Sequence, residues 1–472
     1  MTLKNINVLV LLSFLIINTI KGDCEACCED CCNDCSKKES ENSKENESNK
    51  VEESYEAKSK ENLNNLLQNN FFMENNNQNN NLLPQNNFQL QNNLQNNAFQ
   101  NNRFITGETL GLENVGATCY MNATLQCLFH IKELSFFFLN WYYSLYNSYF
   151  CNPFYLSNVL NGKPLFAQYM NLLCQVFYPE FNGNQNTYYA PHAFKNTISA
   201  LNPLFQGIQA NDAKDLLHFI LETMHGELKW ATQAYQEYDI DQRDENAARQ
   251  YFYDSYITKN NSPINNCLYG GNEMKTTCLS CKTTKYNFQC YNLLYFPLKE
   301  AKRVTVLKKK EEDENFDEKN YVLTLEDCFE HNEHVDHFTG DNKMYCNDCK
   351  KEAEADYQTV LYTTPTVLSI VLNRGKANED FKEDFKFGLD LDIKQYIHNQ
   401  SFKQYGKYYL IGMVVHSGES SMNGHFIAYC RMDKNADWYC YNDAFVDPVD
   451  NIEEKFNVNK PYILFYHYDN DV

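Results

Sequence analysis

A thiol, an imidazole and a group that orients the imidazole can together break an acyl bond by covalent catalysis. Cys119 lies in the segment Gly111-Leu112-Glu113-Asn114-Val115-Gly116-Ala117-Thr118-Cys119-Tyr120-Met121-Asn122-Ala123-Thr124-Leu125-Gln126-Cys127-Leu128-Phe129. Met121, Leu125, Leu128 and Phe129 recur at helical spacing, which puts Cys119 on the first turn of a helix after a glycine-containing loop. The helix dipole and uncapped N–H groups at such a place favour a thiolate and can hold an oxyanion. On spacing alone, a small buried thiol is the commoner outcome. Of the 11 histidines, His416 and His425 stand where two apolar runs near the C-terminus meet. The neighbouring Gly424 permits close backbone approach beside an imidazole. Asn442 and Asp443 follow Trp438-Tyr439-Cys440-Tyr441; either could accept an imidazole N–H, and either is also an ordinary turn residue.

A second chemistry is written in thiols. Cys278-Leu279-Ser280-Cys281 and Cys346-Asn347-Asp348-Cys349 are matched Cys-x-x-Cys pairs. Each can place two thiolates on one tetrahedral ion, and together they close the shell of a structural Zn2+ site. Paired redox motifs or four buried thiols are the alternatives, and neither accounts for two matched pairs flanked by strand-like segments. Cys267, Cys290 and Cys328 are assigned to packing.

The elements that must position these groups are legible as patterns. Gly207 to Leu228 reads as a long helix with Leu216, Phe219, Ile220 and Met224 on one face, and Asp212 and Asp215 project together from it. Those two carboxylates also suit the first turn of a helix for its dipole alone. Tyr408 to Val415, His425 to Cys430, Asp437 to Tyr441 and Tyr462 to Tyr466 read as antiparallel strands. The separation of the thiol pairs requires a ribbon that returns on itself, with Lys308 to Lys319 as an inserted loop. The chain has 472 residues with 34 Tyr and 32 Phe, far more aromatic surface than a disordered chain carries. Its 62 acidic against 41 basic residues give a net charge of −21, which argues against a nucleic-acid partner and favours a basic one.

The segment around Cys119 resembles the cysteine box of the ubiquitin-specific proteases, Gly-Leu-x-Asn-x-Gly-x-Thr-Cys-Tyr-Met-Asn-x-x-Leu-Gln, with Ala117 and Ala123 where many members have Asn and Ser. Gly424-His425-Phe426 resembles that family's histidine box, and Trp438 to Asp443 its aromatic-Asn-Asp ending. The resemblance runs from about Thr109 to Tyr466 in an unbroken order of boxes. It implies an α+β, papain-like cysteine protease fold: a helical thumb from about Thr109 to Tyr238, zinc-tipped β fingers within Tyr253 to Leu361, and a β palm. It implies Cys119 as nucleophile, His425 as base, Asn442 as the group that aligns it, Asp443 as a second support, and Asn114 as an oxyanion donor. His416 is then a neighbour of the base. Asp212 and Asp215 fall in a helix resembling the one whose acidic residues engage ubiquitin's arginine-rich tail, although Ala210 and Asp215 replace the usual Gln and Glu. The implied activity is hydrolysis at the C-terminal glycine of ubiquitin, with ubiquitin or a relative as partner and Zn2+ on Cys278, Cys281, Cys346 and Cys349. A catalytically inactive ubiquitin-binding scaffold and a secreted general cysteine protease are the alternatives.

Outside that span, residues 1–22 carry an apolar run from Val8 to Ile17 of signal-peptide length, so they are read as a signal peptide or an uncleaved anchor, leaving membrane contact open. Six cysteines between Cys24 and Cys35 suit disulfides, metal binding or acylation. Residues 36–102 pass through a Glu/Lys/Ser stretch into Asn/Gln-rich sequence without period and are expected to be a disordered linker, leaving 103–472 as the catalytic domain. Zinc thiolates and a free nucleophile favour a reducing cytosol, the leader favours secretory entry, and Asn122-Ala123-Thr124 is a glycosylation sequon inside the Cys119 helix.

Overall fold

β-Branched, aliphatic and tyrosine residues fill the C-terminal third in runs such as Val367-Leu368-Ser369-Ile370-Val371-Leu372, and runs of that kind suit a sheet buried on both faces. A computed structural model of the chain describes residues 110–141, 187–229, 237–260, 262–375, 384–420, 423–456 and 460–470, together with 166, 167, 170, 173, 174 and 177. Residues 1–22, read above as a signal peptide or anchor, the Cys24 to Cys35 cluster and the Asn/Gln-rich segment lie outside the described residues. Among the described residues no helix is long and apolar enough to cross a membrane.

The described residues of the N-terminal half are mainly helical. Strand β1 (Gly111–Leu112) leads through a loop into α1 (Cys119–Phe129) and α2 (Lys132–Phe136), and β1 pairs in parallel with β2 (Tyr188–Tyr189). Then come α3 (His192–Leu201), α4 (Ala213–Leu228), α5 (Glu245–Asn260) and α6 (Pro263–Leu268). Helix α1 is buried along its whole length, so its polar side chains must find partners inside the protein. The expected helix from Gly207 is shorter than its pattern. Gly207 has φ +76°, and Asp212 caps the helix by accepting the Lys214 N–H at 3.0 Å. Residues 207–212 therefore form the approach and cap.

Two sheets follow. In the first, β3 (Gly270–Cys278) pairs antiparallel with β4 (Thr284–Tyr291). After β5 (Leu294–Pro297), α7 (Leu298–Glu312), β6 (Leu323–Thr324) and α8 (Leu325–Asn332), the chain returns through β7 (Asp336–Phe338), β8 (Met344–Cys346), β9 (Lys351–Ala353) and β10 (Ala355–Thr363). The order of this sheet is β4-β3-β10-β7. The expected loop from Lys308 to Lys319 is helical as far as Glu312, because Leu298, Ala301, Thr305 and Val306 bury one side of α7. The Tyr253 to Leu361 interval also begins inside helix α5 and contains β5, which joins the other sheet.

That second sheet comprises β5, β11 (Val367–Asn373), β13 (Asp390–Asp392), β14 (Lys407–Ser420), β15 (Asn423–Cys430), β16 (Trp438–Asn442), β17 (Phe445–Val449) and β18 (Lys460–Tyr468), and a short β12 (Phe385–Lys386) pairs separately with β6. Its main order is β17-β16-β15-β14-β18-β11-β5. Strand alternation splits the core in two. Val371, Val414, Ile463 and Phe465 face the cluster that includes Tyr120, Leu125, Leu216 and Ile220 of α1 and α4. Ile370, Met413, Leu464 and Tyr466 face Leu298, Ala301, Leu325 and Phe329 of α7 and α8. Burying each such side chain contributes roughly 1.5–3 kcal/mol. Helix α1 thus lies directly on β15 and β14, which brings a helix start and a strand start to one seam.

Candidate active site

The loop before Cys119 is folded by its own polar side chains. Asn114 Oδ1 accepts the N–H of Thr118 at 2.9 Å and of Gly116 at 3.3 Å. Thr118 Oγ1 accepts the Val115 N–H at 3.0 Å, so Thr118, the N-cap of α1, makes no side-chain cap bond. The N–H groups of Met121 and Asn122 donate to the Thr118 carbonyl at 3.0 and 2.9 Å, so it is the N–H groups at the very start of the helix, at Cys119 and Tyr120, that can face a developing oxyanion. Gly116 and Ala117 take φ +124° and +48°; an L-residue at the second position carries a steric cost.

His425 is the third residue of β15 and pairs across from Ser417 of β14. Gly424 is required there, since a Cβ would lie 2.0 Å from Cε1 of His416. The buried His416 also packs edge-on to Phe426, with ring centroids 4.7 Å apart. Its pKa is lowered, chiefly by burial, with Asp212 opposing and His425 reinforcing the shift. Strand β14 runs through His416 to Ser420, so His416 is inside a strand and not at its end.

His425 Nε2 is 2.7 Å from Asn442 Oδ1. An amide oxygen can only accept, so Nε2 carries the proton and Nδ1 is left for Cys119. The hydrogen bond from Cys119 is the largest influence raising the imidazole, burial opposes it, and Asn442 and the Asp443 charge add to the rise; the pKa is pushed up to about 9. Asp443 lies farther away, 3.7 Å from Nε2 to Oδ2. Its carboxylate is engaged elsewhere: Oδ2 accepts from Asn114 Nδ2 at 2.9 Å and Oδ1 from Asn122 Nδ2 at 2.7 Å. The turn that carries Asp443, at φ +51°, is pressed on β1. Leu112 N–H donates to the Asp443 carbonyl at 2.8 Å, and a Cβ on Gly111 would come within 2.3 Å of the Ala444 oxygen. Cys119, His425, Asn442, Asn114 and Asp443 are thus one constellation drawn from a loop, a helix and two strands.

Asp212 and Asp215 part company. Asp212 caps α4, pairs with Lys214, and accepts from the Tyr462 hydroxyl at 2.8 and 2.7 Å. Asp215 is exposed on the first turn. Asn122 was legible as a sequon and as a member of the cysteine box, with no role attached to it. In the fold it is 2% exposed and its Nδ2 also reaches the carbonyls of Leu112 at 3.0 Å and Glu113 at 3.3 Å. An amide at i with another at i+4, Gln126, on an otherwise apolar helix was the available signal.

The four cysteines of the two pairs converge at the ends of β3 and β8, with their sulfurs all within 4.8 Å of one another. Cys278 and Cys349 are 3.9 Å apart and Cys281 and Cys346 3.8 Å apart. Sulfurs about 2.3 Å from a tetrahedral ion are spaced by about that much. Both pairs turn alike: Lys282 and Lys350, each following a second cysteine, have φ +58° and +56°. The cluster could hold a metal ion.

A nucleophile at a helix start with an imidazole from an antiparallel strand and an amide behind it is a cysteine-protease-type site. Residues 110–466 match the ubiquitin carboxyl-terminal hydrolase family. The chain belongs to that family, whose members are cysteine-protease-type deubiquitinating enzymes. It is 25% identical over 386 residues to ubiquitin carboxyl-terminal hydrolase 4 of Saccharomyces cerevisiae (76% of this chain, 39% of the relative). It is 24% identical over 363 residues to ubiquitin carboxyl-terminal hydrolase 2 of Homo sapiens (75% and 54%). The chain therefore matches about half or less of the length of these curated relatives. Among solved structures it resembles the SAGA Ubp8/Sgf11/Sus1/Sgf73 DUB module bound to ubiquitin aldehyde, at TM-score 0.52 and 18% identity over 83% of this chain and 77% of that one. The same module bound to monoubiquitin gives TM-score 0.53 over 80% and 74% at 18% identity. The fold is that of a ubiquitin-specific protease.

Proposed function

We propose that this chain is a thiol-dependent deubiquitinase that hydrolyses the thioester, ester or (iso)peptide bond following the C-terminal glycine of ubiquitin. The observation that carries the reading is the hydrogen-bonded series Cys119, His425, Asn442 at the start of α1, with Nε2 to Oδ1 at 2.7 Å. Cys119 Sγ attacks the glycine carbonyl as a thiolate. Its proton, held on His425 Nδ1, passes to the leaving amine, alcohol or thiol as the carbon–nitrogen, carbon–oxygen or carbon–sulfur bond breaks. A thioester remains. Water then attacks it, with His425 taking the water proton and returning a proton to sulfur, and the carboxylate of ubiquitin departs. Asn442 fixes the tautomer and direction of the ring throughout. The second Nδ2 hydrogen of Asn114 and the N–H groups of Cys119 and Tyr120 receive the oxyanion of both tetrahedral intermediates.

Cys278, Cys281, Cys346 and Cys349 would hold Zn2+, which when bound supplies a structural thiolate cross-link. Asp215, exposed at the start of α4, is the better placed of the two carboxylates to meet the basic tail of ubiquitin, since Asp212 is the less exposed and is turned to Tyr462 and Lys214. Hydrolysis of a ubiquitin C-terminal fluorophore amide by the full chain, and labelling of its thiol by an electrophilic ubiquitin probe, test the reading. Both are expected, and both are lost in Cys119→Ala. Absence of labelling in a folded, zinc-loaded sample rejects the enzyme in favour of a binding scaffold; cleavage of denatured casein with indifference to ubiquitin rejects the substrate.

A further inference from the structure

We infer that Asn122 is a positioning residue for hydrolysis: its side-chain amide holds Asp443 in the orientation that presents Asn114 to the oxyanion. The inference rests on the hydrolase reading above and extends it to a residue that touches neither substrate nor the reacting atoms. Asn122 Nδ2 faces three oxygens, Asp443 Oδ1 at 2.7 Å, Leu112 O at 3.0 Å and Glu113 O at 3.3 Å. All three are acceptors, so the amide cannot be turned over without setting oxygen against oxygen. The shortest contact goes to the charged partner, where a hydrogen bond is strongest. At 2% exposure water cannot replace the donor.

The geometry downstream gives the bond its consequence. Asp443 divides its two oxygens, giving Oδ1 to Asn122 and Oδ2 to Asn114 at 2.9 Å. Oδ2 also stands 3.7 Å from His425 Nε2. A carboxylate deprived of its Oδ1 donor gains by swinging toward the imidazolium, where it would compete with Asn442 and release Asn114. By holding Oδ1, Asn122 keeps the carboxylate working for the oxyanion loop and leaves the imidazole to Asn442. The same amide ties α1 to β1, so the nucleophile's helix, the oxyanion loop and the β16 to β17 turn are registered by one nitrogen.

Helix α1 supplies its own control. Gln126, one turn later, makes the same kind of bond to the residue before β1, from Nε2 to Leu110 O at 2.8 Å, and reaches no oxygen of Asp443. In the full chain, kcat is measured on ubiquitin C-terminal fluorophore amide and normalised to sites titrated by the electrophilic ubiquitin probe. Asn122→Ala is expected to lower kcat by between about tenfold and the roughly 100-fold that accompanies loss of an oxyanion donor, with KM within about twofold. Gln126→Met should lower the melting temperature while kcat stays within about twofold. Asn122→Ser, with a shorter donor, should be intermediate, and it carries the test if the alanine variant yields no titratable sites. Asp443→Ala should lower kcat by itself, and adding Asn122→Ala to it should change little further. Unchanged kcat per site in Asn122→Ala, or independent multiplication of the two effects, overturns the inference while leaving the hydrolase intact. A wild-type chain that turns over no ubiquitin amide removes the reading beneath it instead.

Discussion

The proton on His425 Nε2 is committed to Asn442 Oδ1, and that commitment sets a pH window. With a pKa pushed up to about 9 by Cys119 first and Asn442 after it, the ring is favoured as imidazolium in the folded state relative to its ordinary value of about 6.5. The stabilisation this gives is fully present below about 6.5 and is lost as pH rises through about 9. Catalysis needs the Nδ1 proton of that imidazolium for the leaving group, so kcat/KM is expected to fall on an alkaline limb near pH 9. In Asn442→Ala the limb should move to lower pH, because one of the influences raising the ring is gone; a limb that stays put would show that Asn442 does not set the imidazole. Cys119→Ala should take the His425 NMR titration down further still, since it removes the larger influence. A second residue-scale prediction concerns Ala117 at φ +48°. Left-handed backbone costs an L-residue roughly 1–2 kcal/mol, less what glycine loses in entropy. Ala117→Gly should therefore raise stability by about 0.5–1 kcal/mol in urea unfolding, and a loss would mean that the loop relaxes around alanine.

At the scale of elements, what the sequence disclosed follows from how locally each feature is encoded. Cys119 at the start of α1 and the His425 to Asn442 strands were legible because residue type, glycine placement and period all lie within one segment. The start of α4 was misplaced because apolar spacing continues through Ile208, whereas the stop is written in Gly207 and in Asn211-Asp212, a capping signature. Helix α7 was hidden by its lysines, although Leu298, Ala301 and Thr305 keep helical spacing. Asn122 could not be assigned, because its partners Leu112, Glu113 and Asp443 are brought to it only by the packed sheet. The thiol pairs sit between these extremes: each pair is local, and only their convergence is tertiary. Their prediction is also elemental. Cys281→Ser, or chelation of the purified chain, should remove bound zinc as counted by metal analysis and lower the melting temperature by about 5 °C or more. Because the cluster is carried by β3 and β8 and not by α1, alkylation of Cys119 by iodoacetamide should keep its rate within about twofold. A zinc-free wild type with unchanged melting would argue that the four thiols are only neighbours.

The molecule as a whole adds a long-range field to the local chemistry. Of the net charge of −21, residues 103–472 carry −15, so that span is acidic without the residues that precede it. A surface of one sign accelerates encounter with a partner of the other, and salt removes the advantage as the Debye length shrinks from about 10 Å at 0.1 M toward 3 Å at 1 M. The basic tail of ubiquitin is the partner proposed above. Raising NaCl from about 50 to 500 mM should then depress kcat/KM on ubiquitin fluorophore amide while leaving kcat nearly level. Alkylation by neutral iodoacetamide should not respond. Asp215→Asn should flatten the salt dependence at a stability cost below about 1 kcal/mol, the size of an exposed first-turn charge on the helix dipole. Asp212→Ala should instead cost about 1 kcal/mol through the lost cap, together with its bonds to Tyr462. If Asp215→Asn leaves the salt slope unchanged while the wild type shows one, steering belongs to the distributed charge of the domain and α4 contributes no specific reading of the tail.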